Sequence, residues 1–294
     1  MPLQILFNGL SLGSVYALIA VGFCLVFSIL KFTNFAHGAM ITSAAFIGYF
    51  GAKQFGLGLY GTLLFSVAGG AIVGLLGEFI AFRTITNKSS SVFYYFVSSL
   101  TWGVFLEAIV TLTVGSSFMS YPRFFKSLSI KFGSNNQFIV STVDMYMLVF
   151  AIIALVFLFI FLNKTKFGRG IRATSLDRDT ASLMGIDVKR TIQITFILAG
   201  IMAGLGGVFL GITYTLTAQL GSRVVIKGFI SSIIGGLGSI HGAVIGAIIL
   251  GIVENVLIYY IGSGWTPVVT FVIMLTFLLI RPQGIAGVIV QEKA

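Results

Sequence analysis

The stretch Met1-Pro-Leu-Gln-Ile-Leu-Phe-Asn-Gly-Leu-Ser-Leu-Gly-Ser-Val-Tyr-Ala-Leu-Ile-Ala-Val-Gly-Phe-Cys-Leu-Val-Phe-Ser-Ile-Leu30 contains no charged side chain. A helix needs about 20 apolar residues to cross the hydrocarbon core of a bilayer. A secretory signal would be shorter and would open on basic residues, so this run is expected to be a retained first span.

The remainder agrees. Hydrophobic residues make up 57% of the 294 and charged residues 9%, against roughly 25% charged in soluble domains. With a mean hydropathy of +1.06, no soluble domain could cover such a core, and the bilayer must be the solvent. Backbone polar groups in lipid have to be satisfied internally. Long unbroken apolar runs select helices over the roughly 10-residue alternating strands of a barrel.

Uncharged gaps place spans at 1–30, 32–52, 54 towards Arg83, about 92–118, 145–162 and 191–217, with two more inside 228–280. The expectation is an all-α integral membrane protein, a single polytopic domain over 1–294. Its bundle has about eight transmembrane helices, with room for nine or more. Residues 228–245, with Gly235, Gly236 and Gly238, are expected to hold a broken or re-entrant segment, which survives at membrane depth only where protein or water covers it.

Loop 163–190 carries seven basic residues, Lys164, Lys166, Arg169, Arg172, Arg178, Lys189 and Arg190. Loop 119–142 carries Arg123, Lys126 and Lys131. Basic residues collect in cytoplasmic loops, so 163–190 is expected inside and 119–142 outside. Counting back puts the N-terminus outside. Eight spans would leave the C-terminus outside, and a ninth would reverse it.

Gly238, Gly242 and Gly246 step every four residues, as do Gly200 and Gly204. Such small faces let helices approach closely where lipid supplies no hydrophobic force. They read first as packing within the bundle and second as contacts to another subunit. His-Gly-Ala recurs at 37–39 and 241–243, a faint echo of the internal repeats common in transporters.

Several chemistries are excluded. The net charge of +10 is topogenic, because no basic stripe with interleaved aromatics lies outside the apolar runs, and nucleic acid is not expected. Cys24 is alone, so an intrachain disulfide and a cysteine metal site are out. His37 and His241 lack HExxH spacing, and no GxxxxGK[ST] loop or GxSxG elbow is present. No catalytic or metal-binding residue is therefore assigned.

Polar residues among the apolar runs are the remaining candidates. Glu107 lies near the middle of the fourth span, where a charge costs about 2.5–3.5 kcal/mol. It must face protein or water, as a packing partner or as part of a pathway. Asn34 and His37 are three apart at the start of the second span, on one face if helical. Glu78 sits near Arg83 and is expected to snorkel to the interface, and Glu254 is expected near a membrane surface.

Within 163–190, Ser175 is expected to cap a short amphipathic helix. Asp177 and Asp179 lie in its first turn, where the helix dipole favours acids. Leu176, Leu183 and Met184 form its apolar side, Arg172 and Arg178 add to its charged rim, and Gly185 closes it. Such a helix suits docking to a soluble cytoplasmic partner.

Five segments in order resemble one family, the LivH-type permease of binding-protein-dependent branched-chain amino-acid ABC importers. They are Asn8 through Gly22, Asn34-Phe-Ala-His-Gly38, Arg169 through Ile186, Gly235-Gly-Leu-Gly-Ser-Ile240 with Gly242 and Gly246, and Arg281-Pro-Gln-Gly284. The chain departs from the family's usual residues at Ala39, Thr84, Glu107 and His241.

The resemblance implies a multi-pass inner (plasma) membrane permease that forms a translocation pathway with a second, related permease subunit. Arg172, Leu176, Asp177, Asp179, Leu183, Met184 and Gly185 would couple it to two cytoplasmic ABC ATPase subunits, and Asn34, His37 and Glu107 are the candidate pathway residues. This chain would hold no cofactor; ATP and magnesium would be bound by the ATPases. An extracytoplasmic solute-binding protein would deliver leucine, isoleucine, valine or a related small molecule. The alternative from another class is an ion-coupled secondary transporter or channel.

Overall fold

The computed structural model describes residues 2–88, 91–115, 117–125, 129–132, 138–281 and 283–286. Lys126 and Pro282, named above, lie outside the described residues. In chain order the helices are α1 (Pro2–Leu30), α2 (Ala36–Gln54), α3 (Leu59–Gly77), α4 (Arg83–Asn87), α5 (Val92–Val114) and α6 (Thr142–Lys164). Then come α7 (Lys166–Leu176), α8 (Arg178–Leu183), α9 (Val188–Thr213), α10 (Leu220–Gly235), α11 (Ile240–Ile261) and α12 (Thr266–Ile280). A π-helical turn, Glu78–Phe82, joins α3 to α4. Between α5 and α6, strands β1 (Ser129–Phe132) and β2 (Phe138–Ser141) form an antiparallel hairpin with Ile130 opposite Val140.

The opening apolar run becomes the centre of the bundle. Every residue of α1 from Val15 to Val26 is buried, as befits a helix that is apolar on all sides. Helices α6, α9, α10 and α11 surround it, and α2 is buried between α3, α9 and α10.

Six helices are long and apolar enough to cross a membrane: α1, α3 with its continuation to Thr86, α5, α6, α9 and α11. Three shorter ones, α2, α10 and α12, complete the bundle. These nine helices among the described residues fall within the expected range of about eight spans with room for nine or more, and six of them are long and apolar enough to cross a membrane by themselves. Helices α10 and α11 flank the expected break in 228–245, and α12 follows them. Arg223 and Lys227, which mark a loop end by composition, lie on α10.

The second span also starts later than its charge gap suggests. Residues 31–35 are not helical, and α2 begins at Ala36. By then the chain is deep inside the bundle. A Cβ placed on Gly22 of α1 would lie 2.8 Å from the His37 imidazole, and one on Gly103 of α5 would lie 3.4 Å from Ala36 Cα. Helix α10 begins at the same depth, where the Gly221 N–H donates to Thr42 Oγ1 of α2 at 2.9 Å. Two helices therefore start in the interior. Their non-helical approaches are covered by protein, the condition for irregular backbone at this depth.

The expected break in the Gly-rich segment falls between α10 and α11. The described end of the chain closes on that corner: Ile285 N–H donates to the Ile234 carbonyl at 2.8 Å and Ala286 N–H to the Gly235 carbonyl at 2.9 Å. His241 at the start of α11 meets Phe159, near the end of α6, edge-on at 4.7 Å. The corner, the 281–286 segment and loop 163–190 thus share one end of the bundle, called here the basic end. Four helices, α9 to α12, separate that loop from the described C-terminal segment, an even number that returns the chain to the same end.

The glycine steps pack within this chain. Gly200 lies against the Gly70 backbone and Gly204 against Ser66; Gly242 and Gly246 face Gly235 and Ser231. Gly238 is a correction to the expected packing face. It has φ +89 with no atom near its would-be Cβ, and it makes the turn between α10 and α11.

A side chain at Gly200 would have to displace the Gly70 carbonyl, a backbone atom that cannot rotate away. Gly200→Val should cost about 1–3 kcal/mol or more and lower the thermal unfolding temperature in detergent. Gly58→Ala, at a glycine whose Cβ would meet nothing within 4 Å, should leave it unchanged.

Candidate functional site

Polar groups gather where the two interior helix starts meet. Asn34 and His37 are both buried. They do not share a helical face, because Asn34 precedes α2. Its side-chain oxygen instead accepts from the Ala36 N–H at 3.2 Å, ending the non-helical approach. The cavities described below do not touch either residue.

Glu107 is only partly buried on α5 and accepts a hydrogen bond from the Ser222 hydroxyl at the start of α10. A carboxylate can accept several such bonds, so this contact leaves capacity facing the open side. Ser222 carries no motif signal; only the interior start of α10 brings it to Glu107.

Glu254 is buried. It lies within α11, where it pairs with Lys227 and accepts from Tyr16 Oη of α1 at 2.9 Å. Lys227 Nζ also donates to Tyr16 Oη at 2.8 Å. The cluster lines a cavity of about 510 Å³ with Arg223. That cavity lies between the 214–217 and 263–267 linkers, at the end opposite the basic one. Glu78 does not snorkel. It is buried in the π-helical turn and accepts from Arg83 Nε at 3.3 Å and Nη2 at 3.0 Å. Arg83 itself lies over the Phe79 ring at 4.3 Å.

The basic loop contains two helices rather than one. Thr165 caps α7, its hydroxyl accepting from the Gly168 N–H at 3.0 Å. Asp177, not Ser175, is the second cap, accepting from the Thr180 N–H at 3.0 Å. That bond holds the Asp177 carboxyl below its usual range. Ser175 instead donates back to the Arg172 carbonyl at 2.7 Å, the local competition that makes serine a weak helix interior. Gly185 has φ +82, the left-handed backbone that favours glycine at a helix end.

Leu176, Leu183 and Met184 are 87%, 87% and 78% exposed. Leu176 ends α7, and Leu183 and Met184 lie at the end of α8, apolar side chains left uncovered among the described residues. Arg172 bonds Asn163 at 2.7 Å, and Asp179 lies beside Arg178 in a cavity with Lys31 and Thr86.

Arg178 does more than line that cavity. Its Nε and Nη2 both donate to the Ile29 carbonyl, at 3.0 and 2.7 Å. That carbonyl belongs to the last turn of α1, whose acceptors have no intrahelical partner. Lys31, just beyond, has φ +56, a left-handed conformation that costs a residue with a Cβ about 1–2 kcal/mol. The clamp therefore holds the point where α1 turns into the interior approach to α2.

Known proteins resemble this chain along nearly its whole length. Residues 5–279 match the family described as the permease component of the branched-chain amino acid transport system. The high-affinity branched-chain amino acid transport system permease protein LivH of Salmonella typhimurium is 34% identical, over 97% of this chain and 95% of that protein. BraD of Pseudomonas aeruginosa, a permease of the same description, is 29% identical over the same shares. Among solved structures, PsaBC from Streptococcus pneumoniae in complex with Fab has a TM-score of 0.50 at 16% identity. It covers 95% of this chain and 89% of that one, a likeness of fold. With the family matched along nearly its whole length, this chain is a multi-pass membrane protein that belongs to the branched-chain amino acid transport permease family.

Proposed function

We propose that this chain is the membrane-spanning subunit of an ATP-driven importer of leucine, isoleucine, valine or related hydrophobic amino acids, in the inner membrane. The match over residues 5–279 carries the reading. A second permease subunit completes the pathway, an extracytoplasmic binding protein delivers the substrate, and two cytoplasmic ATPases supply the energy. The sequence has no phosphate-binding loop of its own, so force must reach it from outside. Leu176 at the end of α7 and Leu183 and Met184 at the end of α8 are suited to receive it, because exposed apolar side chains on short helices can fill a groove on a partner. Arg172, Asp177 and Asp179 rim these side chains and set register more than affinity, while Gly185 ends the second helix. Arg178 then ties that element to the end of α1, and through residues 31–35 to Asn34, His37 and the start of α2.

An ion-coupled transporter would need its own membrane carboxylate free to load and release an ion. Glu78 and Glu254 are each paired with a cation, whereas Glu107 and Asp144, the latter in the first turn of α6, have no ion-pair partner among the described residues.

Orientation is tested by labelling. In a Cys24→Ala background, Ser182→Cys, on the exposed side of the second loop helix, should react in intact cells only with membrane-permeant thiol reagents. Reaction with an impermeant reagent would invert the assignment.

Docking is tested by co-purification. Truncation of a buried interface anchor costs about 2 kcal/mol or more. Leu183→Asp combined with Met184→Asp should therefore strip the ATPases from the complex and abolish uptake in reconstituted vesicles. Asp179→Ala alone should retain both.

Glu107→Gln keeps an acceptor for Ser222, and its uptake should stay near the parental rate. Glu107→Leu removes one hydrogen bond of about 1.5 kcal/mol and should slow uptake roughly tenfold at equal expression. An unchanged rate in the Leu variant would remove Glu107 from the pathway.

A further inference from the structure

Cations in a membrane protein are costly, and they are generally paired or placed on a substrate path. Helix α10 carries two on one face, Arg223 and Lys227, four residues apart and both lining the 510 Å³ cavity. The acid of that cavity, Glu254, is already paired with Lys227 and bonded to Tyr16. Arg223 has no ion-pair partner among the described residues. Two cations and one acid thus line the cavity, with Arg223 exposed, beside apolar wall from Val224 and Ile258.

We propose that this cavity is a transient receiving site for a zwitterionic hydrophobic amino acid. The Arg223 guanidinium takes the ligand's α-carboxylate, for which its planar fork is matched. Glu254 takes the ammonium. Its two oxygens offer about four lone-pair positions, and Tyr16 and Lys227 use one each. Val224 and Ile258 meet the aliphatic side chain. The bound zwitterion adds no net charge, and it supplies the anion that Arg223 lacks. A cavity of this volume lies in the range of small-molecule sites. The cavity faces the end opposite the basic loop, where a delivered substrate would arrive.

The inference rests on the importer reading for its choice of ligand, but its test does not need transport. Thr215 is exposed at the cavity wall. The full importer complex, carrying Cys24→Ala and Thr215→Cys in this chain and held without ATP or binding protein, is labelled with a maleimide. Leucine at twice its Kd should slow labelling roughly threefold, the factor 1 + [L]/Kd of simple competition. Leucinamide, which lacks the carboxylate, and 4-methylpentanoate, which lacks the ammonium, should protect far less. Arg223→Gln should abolish protection by leucine and Arg223→Lys should restore part of it. In Glu254→Gln, leucine should protect no better than 4-methylpentanoate.

Equal protection by leucine and leucinamide in the parent complex would overturn the site. So would no protection by leucine, or full protection in Arg223→Gln. Protection without ATP-driven uptake of branched-chain amino acids would sink the importer reading and leave the site. Uptake without protection would sink the site alone.

Discussion

The meeting of Gly38 and Gly221 is the contact on which the interior depends. A Cβ on Gly221 would run into the Gly38 carbonyl, so the starts of α2 and α10 touch backbone to backbone. Thr42 stitches them, accepting from the Gly221 N–H while donating to the Gly38 carbonyl at 3.3 Å. The first N–H groups of any helix lack an intrahelical partner. In lipid such groups would be costly, and here each helix start is covered by the other and by α1. The same crossing places Ser222 against Glu107 and turns Arg223 and Lys227 towards the cavity.

A mechanical route joins this crossing to the basic end. Arg178 grips the Ile29 carbonyl, Lys31 takes the left-handed turn, and residues 31–35 climb back into the bundle. Phe32 is buried on that climb, stacked on Tyr95 at 5.1 Å and tilted against Phe82 at 5.5 Å. Packed interiors shift between discrete arrangements rather than deforming smoothly. A movement of α8 would thus reach the start of α2 through a short, well-packed segment.

Electrostatics follow the same economy. Glu78 has Arg83, Glu254 has Lys227 and Tyr16, and Glu107 has the Ser222 hydroxyl. Glu78 is satisfied from its own helical stretch, and Glu107 and Glu254 by groups on other helices. Breaking one such pair strands the other charge in a low-dielectric site. These positions are therefore more sensitive to single truncations than to paired replacement.

The sequence by itself determined the helical membrane class, the approximate places of most spans, the basic loop with its exposed leucines and the left-handed glycine at 185. These properties are local: length, hydropathy, charge and turn chemistry act within one segment. It did not determine where α2 and α10 begin, because a helix start inside the bundle leaves no charge to mark it, and the charges of α10 look like a loop boundary. It misplaced Glu78 for a related reason, and it did not show the partners of Glu254. Whether an acid snorkels or is buried depends on a partner that only packing supplies, five residues away for Glu78 and on another helix for Glu254. Asp177 rather than Ser175 became the cap because Ser175 spent its hydroxyl on the preceding turn. Only the tertiary structure decided which polar residues share a cavity, since Tyr16, Arg223, Lys227 and Glu254 come from three helices whose contacts no local pattern encodes.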